Sequence, residues 1–153
     1  MRIRLVMTGS TDRGFVSDGF EEYIGRLRKS TPVEIVVVKE AGAGDPAHQQ
    51  RTEAERLLAV IKPGGRVEAL DERGKSKDSV AFAKQLGAWR DQGARECTFI
   101  IGGAYGLHDD VRQRADLILS LSAMTFTHQL VRVVFAEQLY RAFTILAGRP
   151  YHH

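Results

Sequence analysis

Apolar positions along this chain follow two periods. Residues 3–7, 33–38, 66–70, 97–101 and 117–121 are short strand candidates rich in apolar residues; 33–38 and 97–101 are nearly continuous apolar runs, the pattern of strands covered on both faces. Between them lie stretches at helical spacing. In residues 15–29, Phe15, Phe20, Tyr23, Ile24 and Leu27 fall on one side with charges opposite. Residues 46–61 predict a second helix, with Asp45 as its cap, Pro46 at the first helical position and Gly64-Gly65 beyond its end. Residues 76–91 and 127–146 predict two more, and a short helix fits before the last strand. The order β-α-β-α-β-α-β-(α)-β-α implies an α/β layered fold, a mainly parallel sheet flanked by helices. No repeat, low-complexity tract or linker breaks the pattern, so one domain over residues 1–153 is expected.

Composition narrows the class. At 153 residues, with 43% apolar and 27% charged residues, the chain is of ordinary globular make-up, which excludes disordered and fibrous classes. No apolar run reaches the ~18 residues of a membrane span, and the opening residues are too briefly apolar for a signal peptide. Cys97 is the single cysteine, so neither an internal disulfide nor a cysteine-built zinc site is implied, and a cytoplasmic protein without metal is expected. The net charge is only +3, but 16 of the 22 cations are Arg. Arginine suits bidentate phosphate contacts and base stacking; a G+C-rich genome produces the same bias, so charge permits nucleic acid without establishing it.

Five features carry candidate chemistry. Residues 72–76, Glu-Arg-Gly-Lys-Ser, resemble the end of a phosphate-binding P-loop, but that motif needs glycine where Ala69 stands. What remains is a strand ending near Leu70 and a basic polar turn, at the carboxyl edge where parallel sheets bind ligands. Residues 100–107 run from a strand into Gly102, Gly103 and Gly106. The spacing is wrong for a nicotinamide fingerprint, yet bare backbone there can lie against a ligand or form a tight turn. Residues 119–128 lead from a strand through small polar residues to Thr127 and His128; this could be an ordinary loop with Thr127 as a cap, or exposed backbone that reads the edge of a ring. The last helix is apolar nearly all round, with Glu137, Arg141 and Thr144 as its narrow polar stripe. Such a helix packs on the sheet with one side and on a second copy with the other, so a homodimer is expected. After it comes Gly-Arg-Pro-Tyr-His-His, which by itself could be a frayed end or a set of phosphate, stacking and proton-transfer groups.

Residues 99–107 (Phe-Ile-Ile-Gly-Gly-Ala-Tyr-Gly-Leu), 119–128 (Leu-Ser-Leu-Ser-Ala-Met-Thr-Phe-Thr-His), 130–132 (Leu-Val-Arg), 137–142 (Glu-Gln-Leu-Tyr-Arg-Ala) and the terminal Gly-Arg-Pro-Tyr-His-His together resemble the bacterial large-subunit (23S) ribosomal RNA pseudouridine N3-methyltransferases of the SPOUT superfamily. The likeness spans essentially the whole chain, including residues 19–23, Gly-Phe-Glu-Glu-Tyr; Thr127 stands where some relatives carry proline.

The resemblance implies a fold that periodicity would never predict, a C-terminal trefoil knot, since knots are nearly absent from proteins. It implies S-adenosyl-L-methionine as cofactor, held by Leu70, by Gly102, Gly103 and Leu107, and by Leu121, Ser122, Ala123, Met124, Thr125 and Phe126. These are the same three loops that the strand ends single out. It implies methyl transfer to N3 of a pseudouridine in 23S rRNA, at a ribosomal subunit-interface helix, by a homodimer whose site lies at the dimer interface. His128, Tyr151 and His152 become candidates for handling the N3 proton, the tail residues coming from the partner subunit. Arg132 and Arg141 become candidates for holding phosphate or polarising a pyrimidine carbonyl, although Arg141 could equally pair with Glu137 one turn away. The competing reading is a non-catalytic dimeric RNA- or nucleotide-binding protein.

Overall fold

In a computed structural model covering residues 1–153, the elements follow the expected order: β1 (Arg2–Thr8), α1 (Phe15–Leu27), β2 (Val33–Val38), α2 (Pro46–Ala59), β3 (Arg66–Ser76), α3 (Ser79–Asp91), β4 (Glu96–Ile101), α4 (Asp109–Arg114), β5 (Leu117–Ser120) and α5 (Leu130–Leu146). The strands form one sheet in the order β2-β1-β4-β3-β5. Every pairing is parallel, so the sheet is wholly rather than mainly parallel.

Alternation along the central strands divides the core into two layers. Ile3, Leu5 and Met7 of β1 and Cys97, Phe99 and Ile101 of β4 face α1, α3 and α5. Val6, Val67, Ala69 and Ile100 face the other way, towards Ala54 and Leu57 of α2 and Val111 of α4. The first layer is anchored by three rings: Phe99 and Phe135 lie 4.9 Å apart, and Phe82 stands 6.1 and 5.9 Å from them. Helix α5 is therefore covered along much of its girth by α1, α3 and the sheet, which accounts for most of its all-round apolar character. Leu130, at its start, is an exposed apolar exception.

Local boundaries differ from expectation where polar sequence hides regular backbone. Asp45 caps α2 as predicted, accepting from the backbone N–H of His48 at 2.8 Å. Strand β3, in contrast, does not stop at Leu70. Leu70 and Lys75 both face Leu119 of β5, and the residues between them loop out before the strand resumes to Ser76. Helix α3 consequently starts at Ser79, capped by Asp78, whose carboxylate accepts from the N–H of Ala81 at 2.7 Å. Helix α5 starts at Leu130, whose N–H donates to Thr127 Oγ1 at 3.0 Å.

Candidate active site

Because all strands are parallel, the loop inserted in β3 after Leu70 and the segments that follow β4 and β5 leave the sheet on one edge. They enclose a cleft of about 620 Å³, within the usual range of small-molecule sites. Leu70, Gly102, Gly103, Leu107, Leu121, Ser122, Met124, Thr125 and Phe126 line it, and so does His128. Ala123 does not; it is exposed at the apex of its loop.

Each wall has a local cause. After Ile101 the chain makes a tight turn, with the Gly106 N–H donating to the Gly103 carbonyl at 3.0 Å and Gly106 at φ 79°. A Cβ on Gly102 would lie 2.9 Å from Leu107 Cδ2 and 3.0 Å from the Gly106 carbonyl carbon, so that position must be bare for the turn to fold back. Gly103 differs from the expectation of a glycine that simply clears space for a ligand: its Cβ would point to Glu53 Oε1 at 2.9 Å and Thr8 Cγ2 at 3.3 Å, into the protein. The wall made by residues 121–126 is shaped by its own hydroxyls. Ser120 Oγ donates to the Ser122 carbonyl at 3.1 Å, and Ser122 Oγ accepts from the Met124 N–H at 2.9 Å. The loop inserted in β3 is held by Arg112, which donates to Asp71 Oδ2 at 2.9 Å and to the Leu107 carbonyl at 2.7 Å. This largely buried ion pair ties two walls together. Sequence reasoning missed it because the partners are 41 residues apart.

Arg132 is not at the cleft surface. Its side chain is fully buried and donates to the carbonyls of Thr8 (2.6 Å), Gly9 (2.9 Å) and His128 (3.3 Å) and to Thr11 Oγ1 (2.9 Å). With its donors so used and no access to solvent, it has nothing to offer a phosphate. It instead fixes the backbone at His128 to the end of β1, assisted by Gln129, which bonds the Asp12 N–H at 2.8 Å and the Ser10 carbonyl at 3.1 Å. Burial lowers its pKa, partly offset by the charges of Asp12 and Glu40.

The tail is docked rather than frayed. The Tyr151 ring meets Tyr140 edge-on at 4.7 Å and lies 4.9 Å from the Arg141 guanidinium, and its hydroxyl donates to Glu137 Oε1 at 3.1 Å. Burial, then hydrogen bonds with Tyr23 and Glu137, hold this phenol well above its ordinary pKa. It is therefore a proton-bearing donor in this setting and no base. Arg141 does pair with Glu137, its Nε 3.0 Å and its Nη2 2.5 Å from Oε1, and its Nη1 lies 3.0 Å from His152 Nδ1. A guanidinium can only donate, so Nδ1 accepts and a neutral ring carries its proton on Nε2. The tail follows α5 and the cleft precedes it. The tail folds back onto the middle of that helix, at Glu137, Tyr140 and Arg141, about 10–17 Å along the axis from Leu130 at about 1.5 Å per residue. Neither Tyr151 nor His152 lines the cleft of its own chain.

Residues 1–152 match the family model described as "Predicted SPOUT methyltransferase". The chain belongs to the SPOUT methyltransferase family. Among curated members, it is 46% identical over 153 residues to "Ribosomal RNA large subunit methyltransferase H" of Geobacter sp. (strain M21), covering 100% of this chain and 99% of that one. It is 48% identical over 152 residues to the protein of the same description from Rhodospirillum centenum, covering 99% of each. Among solved structures, a probable methyltransferase from Bordetella pertussis superposes with a TM-score of 0.61 at 17% identity, over 93% of this chain and 96% of that one, which speaks to a shared fold alone.

Proposed function

We propose that this SPOUT protein transfers a methyl group from S-adenosyl-L-methionine to N3 of a pseudouridine in large-subunit ribosomal RNA. The observation that carries this reading is the convergence of three carboxyl-edge loops on one cleft, in a chain that matches rRNA methyltransferases from end to end. The cleft suits the cofactor: Ile101, Leu107, Leu119, Leu121 and Phe126 offer apolar walls for a purine, and the backbone of residues 102–106 lies open for close approach. When bound, the cofactor supplies an electrophilic methyl group on a sulfonium.

The protein's own contribution is alignment, where proximity can be worth roughly 7–11 kcal/mol. Leu70, the turn at Gly102 and Gly103, and Leu121 to Phe126 hold the donor, and Arg132 keeps His128 at the rim. The acceptor nitrogen must lose a weakly acidic proton. His128 is one group that can accept it. His152 of a second copy is the other, once its Nδ1 releases the bond from Arg141, because in its own chain it is docked on α5 and does not line the cleft. Tyr151, as a protonated phenol, can donate to a pyrimidine carbonyl once its single O–H turns away from Glu137 Oε1. We infer a homodimer on this ground and on the exposed Phe15, Met124 and Leu130, apolar groups at the cleft end of the molecule that a second copy would cover. We infer the trefoil knot as well, supported by the loop in β3 between Leu70 and Lys75 and by the contact between Thr125 and Glu72 across it. No helix is long and apolar enough to cross a membrane, in keeping with a ribosomal substrate in the cytoplasm.

Calorimetric titration with S-adenosyl-L-methionine tests the reading at its base. Saturable heat that the Gly102→Val variant loses supports it; no heat would leave an RNA-binding protein without a methyl donor.

A further inference from the structure

The end of the molecule opposite the cleft carries cations that the fold does not use. Helices α1 and α5 run side by side in the same direction: a Cβ on Gly19 would lie 3.0 Å from Val133, and Tyr23 stands 6.3 Å from Tyr140. Both helices therefore end beside the amino ends of the strands. Between Glu22 and Glu34 the chain has Arg26, Arg28 and Lys29 and no acid, and after Glu137 it has Arg141, Arg149 and two histidines, again with no acid. The fold brings these two acid-free segments together, with Arg149 Nη2 donating to Ser30 Oγ at 2.7 Å.

Arg26 and Arg141 are ion-paired, to Glu22 and Glu137. Arg2, Arg28, Lys29 and Arg149 are exposed, and none has a carboxylate partner. Arg28 reaches only the Val33 carbonyl, at 3.4 Å. Arg2 and Arg28 edge an open recess of about 390 Å³ whose one acid, Glu34, is already held by Arg4 and Lys62. Beside this group lie the ring of Tyr151 and the imidazole of His152, docked on Arg141.

We propose that Arg28, Lys29 and Arg149, with Arg2 beside them, bind the phosphates of the RNA strand flanking the target nucleotide. This rests on the reading above, in which the tail of one copy serves the cleft of another. A strand whose target base enters that cleft passes the tail, and its backbone then meets the cations around the tail. Unpaired exposed guanidinium and ammonium groups suit this task, because they exchange counterions for phosphates without first breaking an ion pair. The occupant is thus a nucleic-acid backbone, read by charge and not by base sequence.

The test uses the full-length protein with three neutralising changes, Arg28→Gln, Lys29→Gln and Arg149→Gln, singly and together. All three side chains are exposed, so folding and S-adenosyl-L-methionine affinity should stay as in the wild type. Apparent KM for ribosomes should rise severalfold in the triple variant. The slope of log binding against log salt should flatten by about 2–3, roughly 0.7–0.9 for each phosphate no longer neutralised. The methylated nucleoside formed at saturating ribosome concentration should be the same, which keeps this test separate from that of the methyl-transfer reading. An unchanged salt slope and KM, in a variant that still binds the cofactor, would overturn the proposal. A raised KM with an unchanged slope would also overturn it, pointing to a ribosomal protein surface in place of RNA.

Discussion

Glu68 offers the sharpest quantitative check on how this sheet is built. It sits on β3 between β4 and β5, fully buried, with Oε1 lacking any partner. Its other oxygen accepts from Gln85, whose own side-chain carbonyl accepts from Lys77. Burial pushes the carboxyl up to about 7, against the smaller opposing effects of the Gln85 bond and the Lys77 charge. An acid raised in the folded state takes up a proton on folding, so this residue favours the fold most below its unfolded value near 4.5. That advantage fades as pH climbs towards about 7 and is gone above it. The gap corresponds to about 3 kcal/mol at about 1.4 kcal/mol per unit, of which some 2–3 kcal/mol falls between pH 5 and 8. Glu68→Gln keeps the shape and the Gln85 contact while removing the charge. Urea unfolding of both proteins at fixed protein concentration, from pH 5 to 8, should show the variant gaining on the wild type by that amount as pH rises. Parallel stability curves would mean that Glu68 is already solvated or paired, and the reasoning from burial would fail.

Three further outcomes follow from the site. Arg132→Met should lower unfolding free energy by about 3 kcal/mol or more, because buried carbonyls left without a donor cost about 1–3 kcal/mol each; a urea midpoint like that of the wild type would make the Arg132 network dispensable. Gly102→Val should abolish cofactor binding through the turn at Gly106, and an unchanged affinity by calorimetry would remove that turn from the site. Truncation after Pro150 should leave cofactor affinity intact and cut methyl transfer sharply, and mixing with a Gly102→Val subunit should restore one working site per heterodimer. Full activity in the truncated homodimer would show that the tail only packs on α5.

How far the sequence could speak depends on range. Strands β1, β2 and β4 were legible as apolar runs, broken by a single charge in β1 (Arg4) and β2 (Glu34), although β2 proves to be a half-buried edge strand where its sequence suggested cover on both faces. The α2 cap was legible because Asp45 and Pro46 act within one turn. The second part of β3 was not, because Asp71 to Lys75 are polar residues at a bulge that exists only through pairing with β5. The three loops that meet at the cleft could be found at the carboxyl edge of the strands, since topology alone puts them on one edge. Arg132 could not be read correctly. A single cation in an apolar helix looks alike whether it faces a ligand or plugs carbonyls 123 and 124 residues earlier in the chain. The Arg112–Asp71 pair was invisible for the same reason, while the contact of Arg141 with Glu137, a local one, was foreseeable from spacing.

The central claim is the reaction itself, and it is tested most directly by incubating the purified protein with S-adenosyl-L-methionine and unmodified ribosomes, then identifying nucleosides of the large-subunit RNA by mass spectrometry. The account predicts one pseudouridine made heavier by a single methyl group, with fragmentation placing that methyl on the base at N3. A methyl on ribose, on another base, or on no nucleoside despite cofactor binding would contradict it.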